Sequence, residues 1–117
     1  MVTVAEVRAL ATSLPRSHEA LVRDQVRFLV GRIVYLGFSR DERLMGFAFP
    51  KEERQMLIAS EPAKFMPPGT ATRRLNWLVV RLEAIDPVER RELVLDAWAM
   101  VVPKSVSAEY LRSTSSI

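Results

Sequence analysis

A helix whose two ends are both written into the sequence constrains this chain more than any other feature. Residues 86 to 104 read Asp-Pro-Val-Glu-Arg-Arg-Glu-Leu-Val-Leu-Asp-Ala-Trp-Ala-Met-Val-Val-Pro-Lys. Asp86 suits the N-cap, Pro87 brings the fixed φ wanted at the first helical position, and Glu89 is placed to reach back and complete a capping box. Pro103 stops the helix. Leu93, Val94, Leu95, Ala97, Trp98, Met100, Val101 and Val102 leave Asp96 as the only charge near the C-terminal end. The helix is therefore expected to lie largely inside the protein.

The remaining elements follow from caps, periodicity and turn residues. Thr3 and Glu6 have capping-box spacing, and Val4, Val7, Leu10, Ala11 and Leu14 recur at helical intervals, which predicts a helix over 4–13 ending before Pro15. Short apolar runs broken by Gly31, Gly37 and the cluster Ser39-Arg40-Asp41-Glu42 predict strands near 20–24, 26–30, 32–38 and 43–49. The first two form either a hairpin or one bent strand, because Asp24-Gln25 is a poor turn signal. Pro50 opens a helix over 51–60, with Glu52 and Glu53 at its positive end. Residues 61–73, holding Pro62, Pro67, Pro68 and Gly69, read as a long surface loop. A strand over 75–83 follows, with Leu78, Val80 and Leu82 on one face and Trp77, Val79, Arg81 and Glu83 on the other. A last helix is expected over 106–112, capped by Ser105 or Ser107, and then a disordered tail over 113–117. This order lacks a regular βαβ alternation and predicts an α+β domain: an antiparallel sheet of about five strands with helices packed on one face.

At 117 residues, 49% hydrophobic and 26% charged, the chain is read as one domain over 1–112. No apolar run is long enough to cross a bilayer, and Glu6 interrupts any signal-like N-terminus, so a cytoplasmic location is expected and a membrane partner is not. The sequence has no cysteine and one histidine, which excludes disulfides, thiolate metal sites and a multi-histidine metal site within the chain. His18 lies near Ser13, Ser17 and Glu19, but no glycine-framed elbow surrounds a serine. The carboxylate pair Glu52-Glu53 is explained by the helix dipole, and Asp41-Glu42 lies in a turn. The four glycines never cluster into a phosphate-cradling loop. The expectation is a protein that is not an enzyme and needs no cofactor.

Charge is distributed unevenly. Residues 25–40 carry Arg27, Arg32 and Arg40, and residues 62–82 carry Lys64, Arg73, Arg74 and Arg81, with no acid in either stretch. The net charge of +3 therefore conceals two basic segments within an otherwise acidic chain. Trp77 and Arg81 share a strand face, and the face opposite the helices is expected to present Arg27 and Tyr35 as well. An aromatic ring among arginines is a platform on which bases stack while phosphates are held. The same residues also fit a Trp packed under the 61–73 loop, with Arg81 paired to Glu83 or a neighbour. Arg73-Arg74 fits either a phosphate clamp or a solvated strand entry.

The Asp-Ala-Trp run ending in Val-Pro-Lys resembles the end of the MmcQ/YjbR-like family. Ser13-Leu14-Pro15, Val30-Gly31-Arg32-Ile33, Phe49-Pro50-Lys51-Glu52-Glu53-Arg54 and Phe65-Met66-Pro67-Pro68-Gly69 fall in the matching order before the strand with Trp77. The likeness spans roughly residues 3 to 112. Family members often carry a His beside this Trp, where this chain has Asn76. The resemblance implies a two-layer sandwich similar to frataxin-like proteins, and a DNA-binding label. That fold holds iron on acidic edges, but the opening helix here offers only Glu6, so no metal site is expected. Two partner classes stay open. One is nucleic acid, held weakly by Arg27, Arg32, Arg73, Arg74, Trp77 and Arg81; the other is a protein partner docked on the sheet face or the 61–73 loop with Trp77 as an aromatic anchor, and a monomer or weak dimer is expected.

Overall fold

The computed structural model describes residues 2–115. The chain runs α1 (Val4–Ser13), β1 (Ser17–Val22), β2 (Gln25–Val30), β3 (Ile33–Phe38), β4 (Leu44–Ala48), α2 (Lys51–Ser60), β5 (Phe65–Met66), β6 (Trp77–Arg81), α3 (Pro87–Ala99) and α4 (Lys104–Ser115), with single 3-10 turns at Thr70–Thr72 and Leu82–Ala84. The strands form one antiparallel sheet in the order β1-β2-β3-β4-β6-β5. Helices cover one face of it, and the α+β two-layer expectation holds.

The core lies between these layers. Val4, Val7 and Ala11 of α1 and Val94, Ala97 and Trp98 of α3 meet Phe28, Leu36, Phe38, Met45, Phe47, Leu78 and Val80 from the sheet, all buried. Alternation along β4 and β6 produces this segregation, because residues two apart share a face. Trp98 is buried on every side. Its indole N–H donates to the Pro15 carbonyl at 2.9 Å, and the Tyr110 ring from α4 meets it edge-on at 5.2 Å. The caps at Thr3 and Asp86 form as expected. Thr3 and Glu6 complete a reciprocal box, and Asp86 accepts from the Glu89 amide at 2.9 Å. Glu89 does not close the second half of its box, since its carboxylate takes Lys64 Nζ at 2.7 Å, a charge-assisted bond that outcompetes a backbone amide.

Several boundaries differ from the sequence reading. The expected loop over 61–73 contains β5, which makes six strands instead of five, and a 3-10 turn. β5 is two residues long and exists only through its pairing with β6, a non-local partner that local residue preferences cannot reveal. α3 ends at Ala99 and not beside Pro103, because that proline cannot donate to the Ala99 carbonyl and disfavours α geometry at Val102. α4 starts at Lys104, where the Pro103 carbonyl receives the amides of Val106 and Ser107, so neither Ser105 nor Ser107 is its cap. α4 also continues through residues 113–115 of the expected tail. Residues 116 and 117 lie outside the described residues. β1 and β2 form a hairpin turned at Arg23 and Asp24, both with positive φ (53° and 64°), as a two-residue primed turn requires.

Tyr35 does not join Arg27 on the open face. Phe28 faces Leu36 while Leu29 faces Val34, so Tyr35 is an extra residue in β3, and this bulge turns it into the core with Leu36. Its hydroxyl shares a 2.6 Å hydrogen bond with Ser17 Oγ, and burial raises its pKa above the usual phenol value. Among the described residues no helix is long and apolar enough to cross a membrane.

Candidate functional site

Across the uncovered face, one row of residues runs through all six strands: Ala20, Arg27, Gly37, Gly46, Val79 and Met66, each opposite the next. The middle of this row has no side chains. Strands lie about 4.8 Å apart, so the gap at Gly37 and Gly46 leaves room for large neighbours to lie flat on the backbone. Trp77 fills it from β6. A β-carbon added at Gly46 would stand 2.5 Å from Nε1 and 2.8 Å from Cε2 and Cζ2 of the indole. One added at Gly37 would stand 3.8 Å from Trp77 Cζ2 and 4.0 Å from Arg27 Cγ. The indole therefore covers both glycines, and the arginine stem reaches the Gly37 end of the gap.

Trp77 separates two clefts. The narrower, of about 260 Å³, is lined by Gln25, Arg27, Ser39, Thr72 and Trp77, among others, over the glycine floor. The wider, of about 520 Å³, lies between Ile33 and Val34 of β3, Leu75 to Trp77, and Met100 and Val101 after α3. Arg27 and Thr72 line both, and among the described residues neither cleft contains an acid. Among the described residues, Gln25 and Arg27 make no side-chain hydrogen bond or ion pair, which leaves their polar groups available to a ligand.

The segment leading into β6 is held from α2. Arg54 donates to the carbonyls of Arg73 (2.5 Å), Leu75 (3.0 Å) and Trp77 (3.1 Å). The Lys51 amide donates to Asn76 Oδ1 at 3.1 Å, and its Nζ reaches the Arg74 carbonyl at 3.4 Å. These bonds occupy backbone oxygens and leave the Arg73 and Arg74 side chains exposed. One guanidinium thus positions both the indole and the arginine pair.

Of the six sequence-predicted site residues, Arg27 and Trp77 line both clefts. Arg27 lies at the indole, Arg32 is exposed in the β2–β3 turn next to Ile33, and Arg73 and Arg74 follow Thr72. Arg81 does not join them. It sits at the far end of β6 opposite Leu44, where its guanidinium donates to the carbonyls of Pro62 and Ala63 at 3.3 and 3.2 Å instead of pairing with Glu83. Sequence reasoning missed Gln25, Gly37, Gly46, Thr72 and Arg54. The two glycines carried a readable signal, since a glycine inside a strand marks a close approach. The residues near His18 are engaged structurally: Ser17 with Tyr35, Ser13 with the Leu10 carbonyl, and Glu19 with Arg8 at 2.9 Å.

The fold and the uncovered basic face define a small α+β domain of two layers. It is similar to the crystal structure of Deinococcus radiodurans protein DR2400, described by the domain DUF419, the domain of the MmcQ/YjbR family. The two chains are 23% identical with a TM-score of 0.74, and the match covers 93% of this chain and 88% of that one. No family model and no curated protein sequence matches the chain. The similarity establishes the fold.

Proposed function

We propose that this chain is a non-enzymatic MmcQ/YjbR-like binding domain that holds nucleic acid weakly on the open face of its sheet, with a preference for single strands. The observation that carries this reading is the Trp77 indole laid over Gly37 and Gly46 beside Arg27, in clefts that contain no acid. A base enters the narrower cleft and packs on the indole, a contact worth about 1–3 kcal/mol per base. The unpaired amide of Gln25 faces the base edge there. Phosphates on either side meet Arg32, Arg73 and Arg74, whose planar guanidinium groups match phosphate oxygens. Arg81, tied to the β5 side, supports the sheet edge and takes no phosphate in this reading.

Fluorescence anisotropy with labelled single- and double-stranded oligonucleotides at two salt concentrations tests the reading. Three phosphate contacts give a log–log salt slope of about −2 on a single strand. The rival reading is a protein-interaction or regulatory module with Trp77 as its aromatic anchor, favoured by the exposed apolar residues Ile33, Leu75 and Met100 around the wider cleft. Anchoring of that kind is insensitive to salt. Absence of oligonucleotide binding at low salt, or binding that ignores salt, leaves the protein-interaction reading in front.

A further inference from the structure

The wider cleft has a composition that stacking of a nucleobase does not use. Its wall is apolar: Ile33, Val34, Ala48, Leu75, Met100, Val101 and the indole of Trp77. Its volume of about 520 Å³ falls in the range of small-molecule sites, roughly 300–1,000 Å³. Three of the wall residues are unusually exposed for their size, Ile33 at 55%, Leu75 at 56% and Met100 at 42%. They come from three separate segments, the start of β3, the segment before β6 and the residue after α3, and they converge on this one concavity. Convergence of that kind signals a surface that something apolar covers.

The polar groups narrow the class of occupant. Apart from the indole N–H, Arg27, Thr72 and Asn76 are the only polar side chains in the wall among the described residues, and Asn76 already accepts the Lys51 amide through Oδ1. A nucleobase, with several donors and acceptors on its edge, would leave most of them unmatched against such a wall. Arg27 is the single ionisable group of the wall among the described residues. Half-buried, with its stem near Gly37, it has no ion pair or hydrogen bond among the described residues. A half-buried guanidinium facing an apolar cavity is complementary to one anionic group on an otherwise apolar molecule.

We propose that this cleft is a binding site for a small amphipathic organic anion, an aromatic or branched apolar body carrying one carboxylate or equivalent group. The apolar body lies between Leu75, Met100 and the indole, and the anion meets the Arg27 guanidinium. The site shares Arg27 and Trp77 with the nucleic-acid reading but needs no contribution from Arg73 or Arg74, so naphthoate binding and oligonucleotide binding are tested separately.

Isothermal titration calorimetry with 2-naphthoate tests this, with 2-naphthylmethylammonium as the cation of matching shape and a nucleoside monophosphate as the anion with a polar ring. Naphthoate is expected to bind, the cation to fail, and the nucleotide to bind more weakly than naphthoate. Arg27→Gln keeps the stem over Gly37 and removes the charge, and it should weaken naphthoate about tenfold or more, the loss expected of one charge-assisted bond. Amide NMR shifts induced by naphthoate should centre on residues 33–34, 75–77 and 100–101, and an unchanged spectrum of Arg27→Gln elsewhere shows that the variant folds. No binding of naphthoate at millimolar concentration would overturn the inference. So would equal binding of the acid and the amine, tighter binding of the nucleotide, or indifference to Arg27→Gln.

Discussion

Gly46 and Trp77 occupy one site between them: the indole lies where the side chain of residue 46 would be, 2.5 Å from the position of its β-carbon. Gly37, directly opposite on β3, has ordinary contact distances by comparison. Gly46→Ala therefore forces the ring off its floor and should cost about 1–3 kcal/mol, the usual penalty of overpacking. Gly37→Ala should stay within about 0.5 kcal/mol of the parent protein. Chemical denaturation of the two variants checks this; similar losses at both positions would show that the indole does not rest there.

Arg54 contacts no ligand in the proposed binding mode and holds three carbonyls of the segment that presents Arg73, Arg74 and Trp77. Arg54→Ala should weaken oligonucleotide binding several-fold and raise amide exchange in residues 73–77 while α1 and α3 keep their protection. Hydrogen exchange read by mass spectrometry decides it. Unchanged exchange in that segment would mean that the β6 ladder alone positions it.

The caps and core of the helical layer make a graded prediction. Asp86→Ala removes a single cap bond and should cost about 1 kcal/mol. Trp98→Ala empties a fully buried site and orphans the Pro15 carbonyl, for a loss of about 3–5 kcal/mol. Urea unfolding midpoints measure both, and equal losses would contradict the central place given to α3.

Much of this helical layer was legible because its determinants are local: Thr3 with Glu6, and Asp86 with Pro87, sit within one turn of the groups they satisfy. The pleated alternation of β6 likewise assigned Leu78 and Val80 to the core and Trp77 to the open face. What stayed hidden depends on partners distant in sequence. Phe65 and Met66 pair only because β6 lies beside them, Tyr35 turns inward only because β2 and β3 slip by one residue, and Arg81 finds carbonyls of the β5 approach instead of Glu83. The hairpin at Arg23 and Asp24 lacks the usual glycine, so its positive φ values are set by the register of β1 on β2. The platform itself was half visible. Trp77 and Arg27 drew notice as chemistry, while Gly37 read only as a strand break and Gly46 as one residue of an ordinary strand.

Glu6 gives the stability a pH dependence. Its carboxyl titrates below the ordinary glutamate value because it takes the Thr3 hydroxyl, an effect opposed by desolvation and reinforced by the Thr3 amide and by Arg90, which approaches to 2.6 Å. A folded-state value lower than the unfolded one contributes stability that is present above the unfolded value and lost as pH falls through the folded value. Glu6→Gln should therefore lower the melting temperature near neutrality, and the gap to the parent should close as pH falls below the ordinary glutamate range. Differential scanning calorimetry across that range checks it, and a gap that persists undiminished in acid would assign the loss to packing instead of charge.

The central claim, that the face around Trp77 binds nucleic acid, is tested most directly by anisotropy titrations of Trp77→Ala and of the Arg73→Ala, Arg74→Ala double variant against the same single- and double-stranded oligonucleotides at two salt concentrations. The double variant should weaken binding to every sequence alike and reduce the salt slope by about two phosphates' worth. Trp77→Ala should leave the slope in place and cost single strands more than duplex, by about 1–3 kcal/mol for the lost stack. Affinities and slopes that match the parent protein in both variants would contradict the claim, because the binding would then lie elsewhere on the molecule.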